Sequence, residues 1–275
     1  MEYLTCTDLI LDTVISGASL NILIQNNDSD LLIIDTRPFS DYITGHIIGS
    51  INLDLMNFHW LDTSKEGILQ FNHQMNILLN YLGVNSKKIV IFYDDISGST
   101  ASRGVWLLHY FSHKNVFLLD GGFKSWSNSN YPIETKTHSL MPFKDEYCID
   151  KSVLADIEYV KSKIEKSNND AVIIDCRSEA EYSGSIARAS KLGHIPQAIN
   201  INWVNNLENE KFKEFEKLDR LYSFIPKDKE IITYCQGGYR AANTYLVLKK
   251  LGYFNVKMYL GSWGEWGNMD GLPIE

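Results

Sequence analysis

The stretch YCQGGYRAA, Tyr234 to Ala242, ends an apolar run with a cysteine and places an arginine five positions later, with two glycines between them. A thiolate is a strong nucleophile, so Cys235 could attack phosphorus or carry sulfur; the plain alternative is a small buried hydrophobe. The flanks argue for chemistry. Arg240 to Leu251 sets Ala241, Thr244, Tyr245, Leu248 and Leu251 at helical spacing, with Lys249 and Lys250 in the last turn and Gly252 just beyond. The motif therefore reads as strand, tight loop, helix. Such a loop lies at the carboxyl edge of a parallel sheet, where open α/β folds bind ligands, and the helix N-terminus offers unpaired N–H groups and a partial positive charge. Gly237 and Gly238 are expected to take positive φ and turn successive N–H groups toward one point. Arg240 adds a planar fork suited to a sulfonate or phosphate. Together these groups predict a Cys235 thiolate at neutral pH beside an anionic substrate.

The rest of the composition narrows the partners. A net charge of −8 disfavours a nucleic-acid backbone or an anionic membrane surface. The N-terminus carries Glu2 and Asp8 where a secretory signal has cations, and no apolar run approaches the roughly 18 residues of a membrane span. The expected setting is the cytoplasm. Cys6, Cys148, Cys176 and Cys235 show neither CxxC pairs nor spacing suited to zinc, so neither a disulfide framework nor a metal or other cofactor is called for.

The elements that must position the loop occur twice. LLIIDTRPFSDY at 31–42 is echoed by AVIIDCRSEAEY at 171–182, and GHIIGSIN at 45–52 by GHIPQAIN at 193–200. KIVIFYDD at 88–95 matches EIITYCQG at 230–237, and NVFLLDGGFKSW at 115–126 matches NVKMYLGSWGEW at 255–266. Four landmarks in one order indicate a duplicated domain. The boundaries read as 1–135, a linker at 136–146, and 147–275, with an insert containing SIARASK in the second copy. The β-branched runs lack two-residue alternation and alternate with helix-like segments, which predicts two α/β domains, each a mostly parallel sheet flanked by helices. Asp94 stands where the first copy needs a nucleophile, so that copy is expected to be inactive.

Four residues separate Cys235 from Arg240, one fewer than in the C-x5-R loop of tyrosine phosphatases. The tighter loop, together with DTR and DCR, the paired GHI and the terminal GSWGEW, resembles the tandem two-domain rhodaneses over nearly the whole chain. The resemblance implies a sulfurtransferase that moves a sulfane sulfur from thiosulfate to cyanide or a thiol through a persulfide on Cys235. Cys235 and Arg240 are then the catalytic candidates, and Gln236, Gly237, Gly238, Tyr239, Arg177 and Arg188 the substrate-binding ones. Arg177 could equally form a structural ion pair with Asp175, and Arg188 could lie in solvent. In mercaptopyruvate enzymes of the family, an arginine four positions after that of DxR holds the substrate carboxylate. Glu181 occupies that position here, which favours thiosulfate. The alternatives are 3-mercaptopyruvate as donor, a non-turnover carrier that delivers sulfur to a thiol protein, and, less consistent with the spacing, a phosphatase. Sulfite is a stable leaving group, so the chemistry demands no strong general acid, and no His or Asp adjoins the loop in sequence. His46 and His194, recurring in both copies, are expected to stabilise the fold, as are Trp126 and Trp266, while Cys176 is expected in the core.

Overall fold

The computed structural model describes residues 13–165 and 171–275; Cys6 lies outside them. Contacts sort these residues into two units, one of 13–58, 73–149 and 207–212, the other of 59–72, 150–165, 171–206 and 213–275. The division departs from a single cut in the sequence. Segment 59–72 belongs with the second unit, 207–212 with the first, and the stretch read as a linker packs with the first. Segment 59–72 ends in the first turns of the helix Lys65–Leu82, and 207–212 is a two-stranded ribbon, Leu207–Glu208 against Lys211–Phe212; local periodicity marks such elements but not the core they join.

Each unit is built on a five-stranded sheet whose neighbouring strands are all parallel. In the first unit the spatial order is Val14–Ile15, Val116–Leu119, Ile89–Tyr93, Leu31–Asp35, Ile51–Asn52. The second repeats it as Leu154–Ala155, Val256–Tyr259, Glu230–Tyr234, Ala171–Asp175, Ile199–Asn200. Every residue of Glu230–Tyr234 is buried, as the missing alternation requires of a central strand covered on both faces. Register sets Tyr93 opposite Asp35 and Tyr234 opposite Asp175, so Asp94 and Cys235 leave the sheet at equivalent points. The first core gathers Leu20, Ile33, Ile91 and Trp126, and the second Val160, Ile173, Ile232 and Trp266.

The sequence echoes become the same hydrogen bonds made twice. Arg37 grips Asp35 and the Gly45 carbonyl; Arg177 grips Asp175 and the Gly193 carbonyl. The Tyr42 and Tyr182 hydroxyls donate to the carbonyls of Ser50 and Ala198. His46 and His194 stack on those tyrosines at 3.8 and 3.7 Å, and their Nδ1 atoms lie 2.8 and 2.9 Å from the Tyr42 and Tyr182 carbonyls. Trp126 and Trp266, both buried, donate to the carbonyls of Pro132 and Pro273. These histidines and tryptophans hold chain segments against the sheet. His46 opens a short strand, His46–Ile47, whereas His194 lies in an irregular stretch.

Tyr93 and Tyr234 end the two central strands, and their hydroxyls accept the Ile47 and Ile195 N–H groups at 3.1 and 3.2 Å. Replacing either by phenylalanine orphans a buried donor. Tyr93→Phe and Tyr234→Phe should each lower the unfolding free energy by about 1–3 kcal/mol, read from the denaturant midpoint.

Candidate active site

Cys235 follows the strand Glu230–Tyr234 directly, is 1% exposed, and precedes the helix Tyr239–Lys250. Gly238 caps that helix at φ +86°, a left-handed conformation that glycine adopts without strain, and its N–H donates to Cys235 Sγ at 3.2 Å. The sulfur thus rests against a backbone donor at the positive end of a twelve-residue helix that finishes in Lys249 and Lys250.

Gly237 differs from expectation, because its φ is not in the left-handed region. A Cβ there would lie 1.9 Å from Cε1 of His59, so any larger residue displaces that ring. His59, in the segment that joins the second unit, lies over the loop and stacks on Tyr239 at 5.7 Å with 12° between the planes. No histidine adjoins the loop in sequence, yet the fold lays His59 against Gly237 and Tyr239.

The loop is stapled from behind by GSWGEW. The carbonyls of Cys235 and Gln236 accept the Trp263 and Gly264 N–H groups at 2.9 and 2.8 Å. The Cys235 N–H donates to Ser262 Oγ at 3.2 Å, and that hydroxyl donates to the Tyr259 carbonyl. Ser262 holds φ +54°, an uncommon conformation for a residue with a side chain. Trp263 is buried and carries the Arg177 guanidinium 4.6 Å from its ring centroid, so its role is packing.

Arg240 and Arg188 converge on Glu181. Arg240 donates to both Glu181 oxygens, at 2.7 and 2.9 Å, and Arg188 lies 3.6 Å from one of them. Burial tends to raise the Glu181 carboxyl, but hydrogen bonds and charge from Arg240, with Ser178, outweigh it and bring the pKa to about 2. Burial opposes the Arg240 charge, and Glu181 and Cys235 more than restore it, so its pKa lies above the ordinary value. Glu181 was legible only as the absence of a cation; its pairing with Arg240 spans 59 positions and leaves no local pattern.

The other expected residues separate into two groups. Gln236 lies in the loop and Tyr239 opens the helix after it, but the Gln236 amide donates to the Arg188 carbonyl at 2.9 Å, which ties the loop to the insert. Its Oε1 is buried and has no hydrogen-bond partner among the described residues. Arg177, expected among the substrate-binding residues, is 1% exposed with its fork on Asp175 at 2.6–3.0 Å and on Gly193; this is the structural ion pair. Cys176 is fully buried, and burial pushes its thiol well above the ordinary value, which suits an inert core thiol.

In the first unit Asp94 occupies the position of Cys235. Its carboxylate accepts the N–H groups of Ile96, Gly98, Thr100 and Ala101 and the Thr100 hydroxyl, at 2.8–3.3 Å. The Asp94 and Asp95 carbonyls are stapled by the Phe123 and Lys124 N–H groups, as in the second unit. The turn is an anion cradle in which the first copy has placed a carboxylate of its own.

The rhodanese-like domain family matches this chain twice, over residues 19–129 and 156–269. The chain belongs to that family. It is 32% identical over 251 residues to the thiosulfate sulfurtransferase of Pseudomonas aeruginosa, covering 90% of this chain and 91% of that protein. It is 33% identical over 261 residues to the sulfur carrier protein TtuD of Thermus thermophilus, covering 90% and 88%. Among solved structures, the 3-mercaptopyruvate sulfotransferase SseA of Escherichia coli superposes with a TM-score of 0.78 at 25% identity, covering 92% of this chain and 99% of that one.

Two outcomes follow for this rhodanese-family site. Gly237→Ala leaves an allowed backbone but displaces the His59 ring. It should retain the fold and lower sulfur-transfer turnover, by up to about 100-fold if the ring positions the reacting groups; full turnover would show that the ring's place is immaterial. Glu181→Gln should cost roughly 1.5–3 kcal/mol at neutral pH. Because the carboxyl is depressed from 4.5 to about 2, its stabilisation is complete above the unfolded value and is lost as pH falls through the folded one. The difference between wild type and variant in urea unfolding should therefore shrink between pH 4.5 and 2.

Proposed function

We propose that this tandem rhodanese-domain sulfurtransferase takes its sulfur from thiosulfate and uses Cys235 as its single sulfur-carrying residue. The observation that carries the reading is the placement of Cys235 Sγ, at 3.2 Å from the Gly238 N–H and at the head of a helix, with Arg240 on the following turn. The Cys235 thiolate attacks the outer sulfur of thiosulfate. The S–S bond breaks, sulfite leaves with the bonding electron pair, and a cysteine persulfide remains. An acceptor nucleophile, cyanide or a thiolate, then attacks the outer persulfide sulfur and returns the Cys235 thiolate. Charge is managed by fixed dipoles and guanidinium groups, which need no reorganisation during the reaction.

The rim supports a small dianion as donor. Arg240 and Arg188 carry two positive charges against the single negative charge of Glu181. A 2-oxo acid donor would bring its own carboxylate to a place that Glu181 already fills. Likeness to SseA keeps 3-mercaptopyruvate as a second reading, and likeness to TtuD makes a thiol protein a reasonable acceptor. A reducing cytoplasm suits a site that depends on a free thiol. Among the described residues no helix is long and apolar enough to cross a membrane.

Intact mass spectrometry after incubation with thiosulfate should show one added sulfur atom on the wild type and none on Cys235→Ala. A wild type loaded by 3-mercaptopyruvate but not by thiosulfate would reverse the donor assignment.

A further inference from the structure

Away from the Cys235 loop, the first unit brings together three groups that the sulfur chemistry does not use. The strand Ile133–Glu134 pairs antiparallel with His46–Ile47, which puts His46 and Glu134 opposite each other, and His138 follows four positions later. One ligand atom from each of His46, Glu134 and His138 lies within 4.8 Å of the others. His46 is fully buried and stacked on Tyr42, and its Nδ1, 2.8 Å from the Tyr42 carbonyl, must be the protonated nitrogen. Its Nε2 lies 3.1 Å from the Lys136 carbonyl, two residues after Glu134 and two before His138. A metal-bound histidine typically shows this arrangement, with its second ring nitrogen donating to a backbone carbonyl.

The duplication separates what the fold requires from what has been added. In the second unit His194 Nδ1 lies 2.9 Å from the Tyr182 carbonyl, its Nε2 is 3.8 Å from Glu275, and Glu275 accepts the Gln197 N–H. In the first unit Glu134 likewise accepts the Gly49 N–H. The histidine–glutamate pair is therefore part of the repeat. In the first copy a second imidazole joins the pair, with His138 Nε2 2.6 Å from Glu134 Oε1, and the Lys136 carbonyl beside it.

We propose that His46, Glu134 and His138 form a divalent-cation site, of the borderline class that zinc exemplifies, which pins the segment following the first domain to the strand His46–Ile47. Two imidazoles and one carboxylate are a donor set that zinc accepts in tetrahedral geometry, the fourth position falling to water or the Lys136 carbonyl. Bonds of ~2.0–2.2 Å require ligand atoms about 3.3–3.5 Å apart. The Glu134–His138 contact must therefore open slightly while the rest of the cluster contracts. Binding releases whatever protons the two imidazoles carry. No spacing motif announces the site, because His46 and Glu134 are 88 positions apart.

The test uses the full chain carrying Cys235→Ser, which removes the active thiol as a competing ligand, with zinc chloride as the probe. Equilibrium dialysis should show one more equivalent of zinc bound by this parent than by the same chain with His138→Ala. Zinc should raise the thermal midpoint of the parent and not that of the variant. Glu134→Gln should weaken binding at least tenfold. Cobalt(II) should give visible d–d bands without thiolate charge transfer, and a charge-transfer band that survives His138→Ala would place the metal on another cysteine. Equal stoichiometry and equal midpoint shifts in parent and variant overturn the proposal.

Discussion

The sulfur of Cys235 is held against a backbone N–H, and most of the second unit can be read as the means of keeping it there. The parallel register ends the central strand at Tyr234, opposite Asp175, so the cysteine emerges at the sheet's carboxyl edge. Gly238 takes the left-handed conformation that starts the next helix within three residues. Backbone N–H groups of GSWGEW then fix the loop carbonyls. None of these contacts touches a substrate. They fix the direction of one donor, which is what an electrostatic site needs, since a dipole that must reorient during the reaction gives back much of its stabilisation.

The first unit shows what the turn does apart from sulfur chemistry. Its loop is one residue longer before the helix cap, with Gly98 four positions after Asp94 where Gly238 is three after Cys235. The wider turn directs four N–H groups and a hydroxyl at a carboxylate. Burial still pushes the Asp94 carboxyl upward, so the donors offset desolvation only in part. The duplicated scaffold thus makes one kind of turn twice, filled in one copy by the Asp94 carboxylate and carrying the Cys235 thiol in the other.

Much of this was legible in the sequence for a definite reason. The parallel strands, the strand–loop–helix around Cys235 and the twofold repeat all depend on residues within a few positions of one another or on motifs that recur in order, and such patterns survive in one dimension. The fork of Arg177 on Asp175 was legible as a DxR pair two positions apart. What escaped was non-local. His59 covers Gly237 from a segment that belongs to the other half of the sequence, and Glu181 meets Arg240 across the loop. Gly237 illustrates the difference: its identity suggested a backbone conformation, whereas the constraint is the space taken by a distant ring.

Internal carboxylates sit differently at the two loops. Asp94 sits at the position equivalent to Cys235, and its carboxylate itself accepts five hydrogen bonds from the loop. Glu181 instead approaches from the side and grips the guanidinium of Arg240, not the amides around Cys235. It fixes the orientation of Arg240 and offsets part of its charge, but Arg188 restores an excess of one positive charge at the rim. The pair of arginines around Glu181 is therefore electropositive and already ordered, the entropic cost of fixing Arg240 having been met in folding. The donor proposed for this site turns on that carboxylate, which would repel a second anionic group brought to position 181.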